Sequence, residues 1–193
     1  MENQESEIIG RCQAGDSQAF GLLYDRYVKK IYDFIYYKTW HKETAEDLTS
    51  QTFFKALNKI KDFNVNKGTF QAWIYQIARN TVIDHYRSSK AELAIEDVWG
   101  LSDESDIERD VDTAAKLAQV EQYLQKLKPQ QRDIIILRLW ENKTYQEISE
   151  ITGLSLTNCK VTFSRVMSKL REDKALIVLY LIILSEKLLW LTR

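Results

Sequence analysis

From Ser17 to about Trp40 the apolar side chains Phe20, Leu23, Tyr24, Tyr27, Ile31, Phe34 and Ile35 recur at three- and four-residue steps, a period that predicts a long amphipathic helix. Its stripe is rich in aromatics, and core packing is the expected role of Tyr24, Tyr27 and Tyr32. A shorter helix is expected ahead of it, from Glu5 to Ala14, ending near Gly15, with Asp16 capping the long one. After a break at His41–Glu43 the period resumes over Thr44–Lys59, where Ala45, Leu48, Thr52, Phe53, Ala56, Leu57 and Ile60 form the side expected to be buried. Asp62–Gly68 has loop composition, and Thr69 is placed to cap a further helix carrying Phe70, Trp73, Ile74, Ile77, Ala78, Val82 and Ile83. The other positions of that helix, among them Gln71, Tyr75, Gln76, Arg79, Asn80, His85, Tyr86 and Arg87, mix amides, cations and aromatics. That mixture suits nucleic acid, because aromatics stack on unpaired bases while cations hold the backbone.

Periodicity is lost between Lys90 and Thr113, and returns over Ala114–Leu127 with Leu117, Val120, Tyr123, Leu124 and Leu127. Pro129 then marks the start of a helix running to about Glu141, interrupted at Asn142 and Lys143. Thr144 and Glu147 have the spacing of a capping box, so a short helix begins there with Tyr145, Ile148 and Ile151 on one face. Gly153 can end it in a left-handed conformation. Ser155 is expected to cap a longer helix in which Cys159, Phe163, Val166 and Leu170 face inward and Asn158, Lys160, Val161, Thr162, Arg165, Lys169 and Arg171 do not. This is the layout of a helix-turn-helix, whose second helix fits the major groove. A plain helical hairpin shares the same pattern, and at this level both stay open.

Six glycines and one proline in 193 residues favour long helices over a sheet-rich fold, and the length suffices for two small domains. The net charge of −1 argues against a DNA-binding protein only until its distribution is considered. Nine acids and two bases lie between Lys90 and Thr113, so the acid is concentrated in a linker and the flanking helices are more basic. Cys12 and Cys159 are far apart and belong to no ligand spacing, which points to reduced thiols and no metal site. Met1–Glu7 is polar and acidic, unlike a secretory signal, and the expected location is the cytoplasm.

Three stretches taken in order carry a family resemblance. They are Ala45-Glu46-Asp47-Leu48-Thr49-Ser50-Gln51-Thr52-Phe53-Phe54-Lys55-Ala56-Leu57, Phe70 to Asn80 continuing to Asp84-His85-Tyr86-Arg87, and Leu127 to Arg132 with Tyr145-Gln146-Glu147-Ile148 and Lys160 to Leu170. On these residues the chain resembles the two-domain sigma factors of bacterial RNA polymerase, of the compact extracytoplasmic-function type. The resemblance covers roughly residues 5–172 and implies an all-α fold. Residues 1–89 would be the polymerase-binding and minus-ten domain and 90–113 the acidic linker. Residues 114–173 would be the helix-turn-helix domain for the minus-thirty-five element; the apolar tail 174–193, expected to form a C-terminal helix, departs from the family pattern.

The resemblance also implies roles. Asp47, Gln51 and Phe54 would meet core polymerase, with Glu46 and Lys55 on the rim. The loop with Phe63, Asn64, Asn66 and Lys67 would hold a minus-ten base flipped out of the duplex, helped by Trp73, Gln76, Arg79, Asn80 and Arg87. Because flipping costs only a few kcal/mol, capture of the extruded base can drive melting without a nucleotide cofactor. Ser155, Thr157, Asn158, Lys160, Val161, Thr162, Ser164 and Arg165 would approach the minus-thirty-five duplex. Thr162 and Met167 stand where the family often has a basic residue, which implies weaker phosphate contact and a shallower salt dependence.

The implied partners are core RNA polymerase, promoter DNA as duplex and as melted strand, and an anti-sigma factor. No cofactor, metal or catalytic residue is expected. His41, Glu43, Glu46 and Asp47 have no recurring ligand spacing, and glycine-rich phosphate loops are missing. A helix-turn-helix regulator that acts without polymerase is the alternative. Residues 175–191 contain a ten-residue apolar run, Ala175–Leu184, then Ser185-Glu186-Lys187 and a second apolar group. A spanning helix needs roughly 20 mostly apolar residues, so a helix packed on the protein is expected first. A weak membrane or anti-sigma contact comes next, and a span last.

Overall fold

The computed structural model describes residues 2–93 and 122–172, and every regular element among them is helical. The chain divides into two compact units, Met1–Asp103 and Glu104–Arg193. The expected tail helix, and the start of the helix expected at Ala114, lie outside the described residues.

In the first unit, α1 (Glu2–Gln13), α2 (Ser17–Thr39), α3 (Lys42–Lys59) and α4 (Phe70–Leu93) follow one another. The helix α2 packs against the other three, and Leu23, Ile31, Phe34 and Ile35 are fully buried along its stripe. Burying such a side chain contributes about 1.5–3 kcal/mol, so this stripe is a large source of cohesion in the unit. Asp16 caps α2 by accepting from the amides of Gln18 and Ala19 at 3.0 and 3.1 Å, and Arg11 holds the same carboxylate at 2.7 Å.

Several boundaries differ from those expected from sequence. α1 begins at Glu2 rather than Glu5. α3 begins at Lys42, because the ring of His41 supplies the cap: its Nδ1 accepts from the Thr44 amide at 3.2 Å. α4 runs on through Lys90 to Leu93, where Ala91, Glu92 and Leu93 are strong helix formers with no glycine or proline among them. α2 stops where Trp40 enters the left-handed region at φ 53°, its amide donating to Tyr36. A bulky side chain seldom adopts that conformation. The indole ring is held at 6.0 and 5.6 Å from the rings of Tyr36 and Tyr37.

In the first unit, two members of the expected core are exposed, and Tyr32, Trp73, Ile77 and Ile83 are only half-buried. Tyr24 is 42% and Leu57 41% exposed, although the Tyr24 ring meets Phe53 edge-on at 4.8 Å. Both stay open to solvent among the described residues. Conversely Lys38, which the periodic pattern left outside, is buried with its ammonium 5.2 Å from the Phe34 ring.

The described part of the second unit opens with helical residues 122–126 (α5), followed by α6 (Pro129–Leu139), α7 (Tyr145–Thr152) and α8 (Leu156–Glu172). The last three pack on one another around Ile134, Ile135, Ile148, Ile151, Cys159 and Val166. Arg132 closes the end of α5, donating to the carbonyls of Leu124 and Gln125 at 2.9 and 2.8 Å.

Candidate functional site

On α3, Glu46, Asp47 and Gln51 are exposed and Phe54 is 67% exposed, with Leu57 three residues further on. Residues three and four apart are neighbours on a helix surface. The face therefore combines an apolar pair with acidic and amide groups. Lys55 faces elsewhere: its ammonium donates to Thr81 Oγ1 at 3.1 Å and lies 3.7 Å from Asp84 Oδ2, tying α3 to α4.

The segment before α4 is built from two short 3₁₀ turns, Ile60–Asp62 and Val65–Lys67. Phe63 between them is buried, its ring 5.7 Å from Phe70 and 5.1 Å from Trp73. It anchors the loop from below, and the surface is left to Asn64, Asn66 and Lys67, all exposed. The Asn64 side chain accepts from the Asn66 amide at 2.9 Å, and Gly68 at φ 148° turns the chain into α4 with a backbone that other residues rarely adopt. Thr69 Oγ1 caps α4 by accepting from the Ala72 amide at 3.1 Å.

Along α4, Gln76, Asn80 and Arg87 are exposed, while Trp73 and Arg79 are half-buried. Positions 73, 76, 80 and 87 recur at helical steps, so they form a stripe beginning beside the loop. Trp73 is shared between roles: one part of the indole supports Phe63 and Phe70, and the remainder stays accessible. At the far end, Tyr86 donates to the carbonyl of Lys38 at 3.2 Å, which fixes α4 against α2.

The second candidate surface is α8. Thr144 and Glu147 form the reciprocal capping box, at 3.2 Å from the Glu147 amide to Thr144 Oγ1 and 2.7 Å from the Thr144 amide to Glu147 Oε2. Gly153 is left-handed at φ 72°, and Ser149 Oγ donates to the Leu154 carbonyl at 2.6 Å, closing the turn. Ser155 Oγ accepts from the Asn158 amide at 3.2 Å. Thr157, Asn158, Lys160, Val161, Ser164 and Arg165 are then exposed, whereas Cys159, Val166 and Leu170 are buried. Thr162 is half-buried and donates to Asn158 Oδ1 at 3.1 Å, so these two groups orient each other. Phe163 is half-buried rather than fully inside, and meets Tyr145 edge-on at 5.9 Å. Between Leu156 and Leu170 the helix carries Lys160, Arg165 and Lys169 and no acid, a surface suited to phosphate.

Comparison with known proteins adds a second line of evidence. Residues 23–92 match the family model described as Sigma-70 region 2, and residues 117–170 the model described as Sigma-70, region 4. The RNA polymerase sigma factor YlaC of Bacillus subtilis is 32% identical over 155 residues, which cover 78% of this chain and 89% of YlaC. The chain belongs to the sigma-70 family of RNA polymerase sigma factors. The ECF RNA polymerase sigma factor BldN of Streptomyces coelicolor is 36% identical over 176 residues, covering 88% of this chain and 66% of BldN. Among solved structures, the sigma factor RpoE in complex with the anti-sigma factor NepR from Bartonella quintana shares the fold at a TM-score of 0.65 and 22% identity. That match covers 79% of this chain and 94% of that one.

In this sigma factor the region 2 match begins within α2, so α1 precedes it. Yet α1 reaches the loop before α4: the Gln13 carboxamide donates to the carbonyls of Ile60 and Phe63 at 3.2 and 2.7 Å. Sequence reasoning did not single out Gln13, because a lone amide at a helix end carries no signal of a partner fifty residues away. No helix of the described residues is long and apolar enough to cross a membrane.

Proposed function

We propose that this sigma factor binds core RNA polymerase through the exposed face of α3, with Phe54 and Leu57 as apolar contacts and Glu46, Asp47 and Gln51 around them. The loop Asn64–Gly68 and the stripe of Trp73, Gln76, Arg79, Asn80 and Arg87 then receive the melted minus-ten strand. The exposed face of α8 reads the minus-thirty-five duplex, Arg165 and Lys160 meeting phosphates and Thr157, Asn158 and Val161 base edges. In this reading the protein catalyses no reaction of its own, acts in the cytoplasm and is held in check by an anti-sigma partner.

The observation that carries the proposal is the loop. Phe63 and Trp73 fill its underside, Gly68 sets its exit, and its polar side chains are left exposed beside a stripe of amides, cations and one accessible indole. Such a surface pairs hydrogen-bonding groups for a base edge with a ring for stacking, as single-strand recognition requires.

The test is transcription from a random promoter library by core polymerase with and without this protein. Discrete starts preceded by a shared two-part motif are expected only in its presence. Binding of a palindromic duplex without polymerase, with no new starts, would replace this reading by that of a free-standing regulator.

A further inference from the structure

We infer that Gln13, on the helix ahead of the region 2 match, is a positioning residue for base discrimination in the minus-ten strand. The inference rests on the reading of Asn64–Gly68 as the base-receiving loop. The carbonyls of Ile60 and Phe63 stand at the two ends of the short turn that leads into this loop, and the Phe63 amide also donates to the Ile60 carbonyl at 3.2 Å. The one amide nitrogen of Gln13 donates to both carbonyls, at 3.2 and 2.7 Å. It thereby fixes the direction in which the chain emerges from Phe63. The Ile60 carbonyl already has the Phe63 amide within the turn, whereas the Phe63 carbonyl lies past its end, where a partner from another element such as Gln13 adds rigidity.

α1 is itself anchored at its other end, independently of the loop. Glu5 accepts from Arg26 at 2.9 Å and from the Tyr27 hydroxyl at 2.8 Å. Ile8, Ile9 and Cys12 are buried between these points. The amide of Gln13 is thus presented by a helix docked on α2, and the loop is shaped from outside its own segment. Gln13 touches no base in this arrangement. It acts by holding the backbone that carries Asn64, Asn66 and Lys67.

The experiment uses full-length protein with core polymerase, comparing wild type, Gln13→Glu and Glu5→Ala. Gln13→Glu keeps the side chain's size but cannot donate to the two carbonyls. Glu5→Ala loosens α1 at the opposite end and leaves the clamp in place. Holoenzyme affinity is measured for a set of minus-ten single strands in which each base is replaced in turn. The ratio of consensus to substituted strand is the readout, because general destabilisation lowers both affinities and leaves the ratio alone.

Gln13→Glu should lower that ratio about tenfold at one position and leave the others within twofold, while Glu5→Ala keeps the wild-type ratio at every position. Unchanged ratios for Gln13→Glu, beside a wild type that discriminates, would overturn the inference alone, and equal loss in Glu5→Ala would assign the effect to docking of α1. A wild type that discriminates at no position would overturn the base-receiving loop, and this inference with it.

Discussion

The ammonium of Lys55 donates to the hydroxyl of Thr81 across 3.1 Å, joining α3 to α4 through a side chain that is almost wholly buried on the Thr81 side. The contact sets two uses of Lys55 against each other. A rim contact to polymerase needs the ammonium free to swing outward, whereas here it satisfies a buried hydroxyl and lies near Asp84. Lys55→Met keeps the aliphatic stem and leaves Thr81 without its donor, at a net cost of about 1 kcal/mol. For a unit of this size that corresponds to a fall in melting temperature of about 4–8 °C. Polymerase affinity should stay within threefold, and a tenfold loss of affinity with unchanged melting would restore Lys55 to the interface.

Phe54 offers the opposite case. With two-thirds of its surface in water it contributes little to the fold, and a docked partner would gain most of its transfer free energy. Full burial of a phenylalanine contributes about 1.5–3 kcal/mol, so Phe54→Ala should weaken core polymerase binding by about tenfold or more. Thermal stability should not fall. Titration of labelled protein with core polymerase, beside a melting curve, separates the two effects.

Most of the described helices and caps were legible because each depends on neighbours in sequence, although the His41 cap of α3 was not foreseen. Thr144 with Glu147, Gly153 and Ser155 define the helix-turn-helix by local hydrogen bonds alone, and the structure shows each of them. What could not be read from sequence depends on contacts between distant segments. Tyr24 and Leu57 have the period of core residues, but whether a neighbour covers them is decided by the packing of whole helices. Phe63 reads as a loop residue open to DNA, yet is drawn under the loop by Phe70 and Trp73. Gln13 and Lys55 reach across elements, and no spacing rule announces such a reach.

The Asp16 carboxylate is held below the ordinary aspartate range, chiefly by its hydrogen bond with Arg11 and then by the Ala19 amide of the α2 cap. A group whose folded pKa is depressed stabilises the fold above its unfolded pKa, and that contribution is lost as pH falls through the folded value. Asp16→Asn keeps an acceptor for the cap and removes the charge. Wild type should therefore be the more stable of the two at neutral pH, and the gap should close as acid protonates Asp16. Parallel thermal melts from neutral pH down into the carboxylate range check this, and a constant gap would mean that charge is irrelevant there.

Arg165 is exposed on the acid-free face of α8, without the helix-capping role that occupies Arg132 or the ring contact that holds Arg138 over Tyr145 at 4.8 Å. Its removal should leave the fold of the second unit intact and change only the electrostatic part of DNA binding. One phosphate contact fewer lowers the slope of log affinity against log salt by about 1, uniformly across sequences. Asn158→Ala should instead alter sequence preference at one position, since Asn158 is exposed, is held by the Thr162 hydroxyl and carries no charge, and in the proposed reading it meets a base edge. Binding of minus-thirty-five duplexes by holoenzyme across a salt series distinguishes the two variants. A changed base preference in Arg165→Ala with an unchanged salt slope would move Arg165 from the phosphates to the bases.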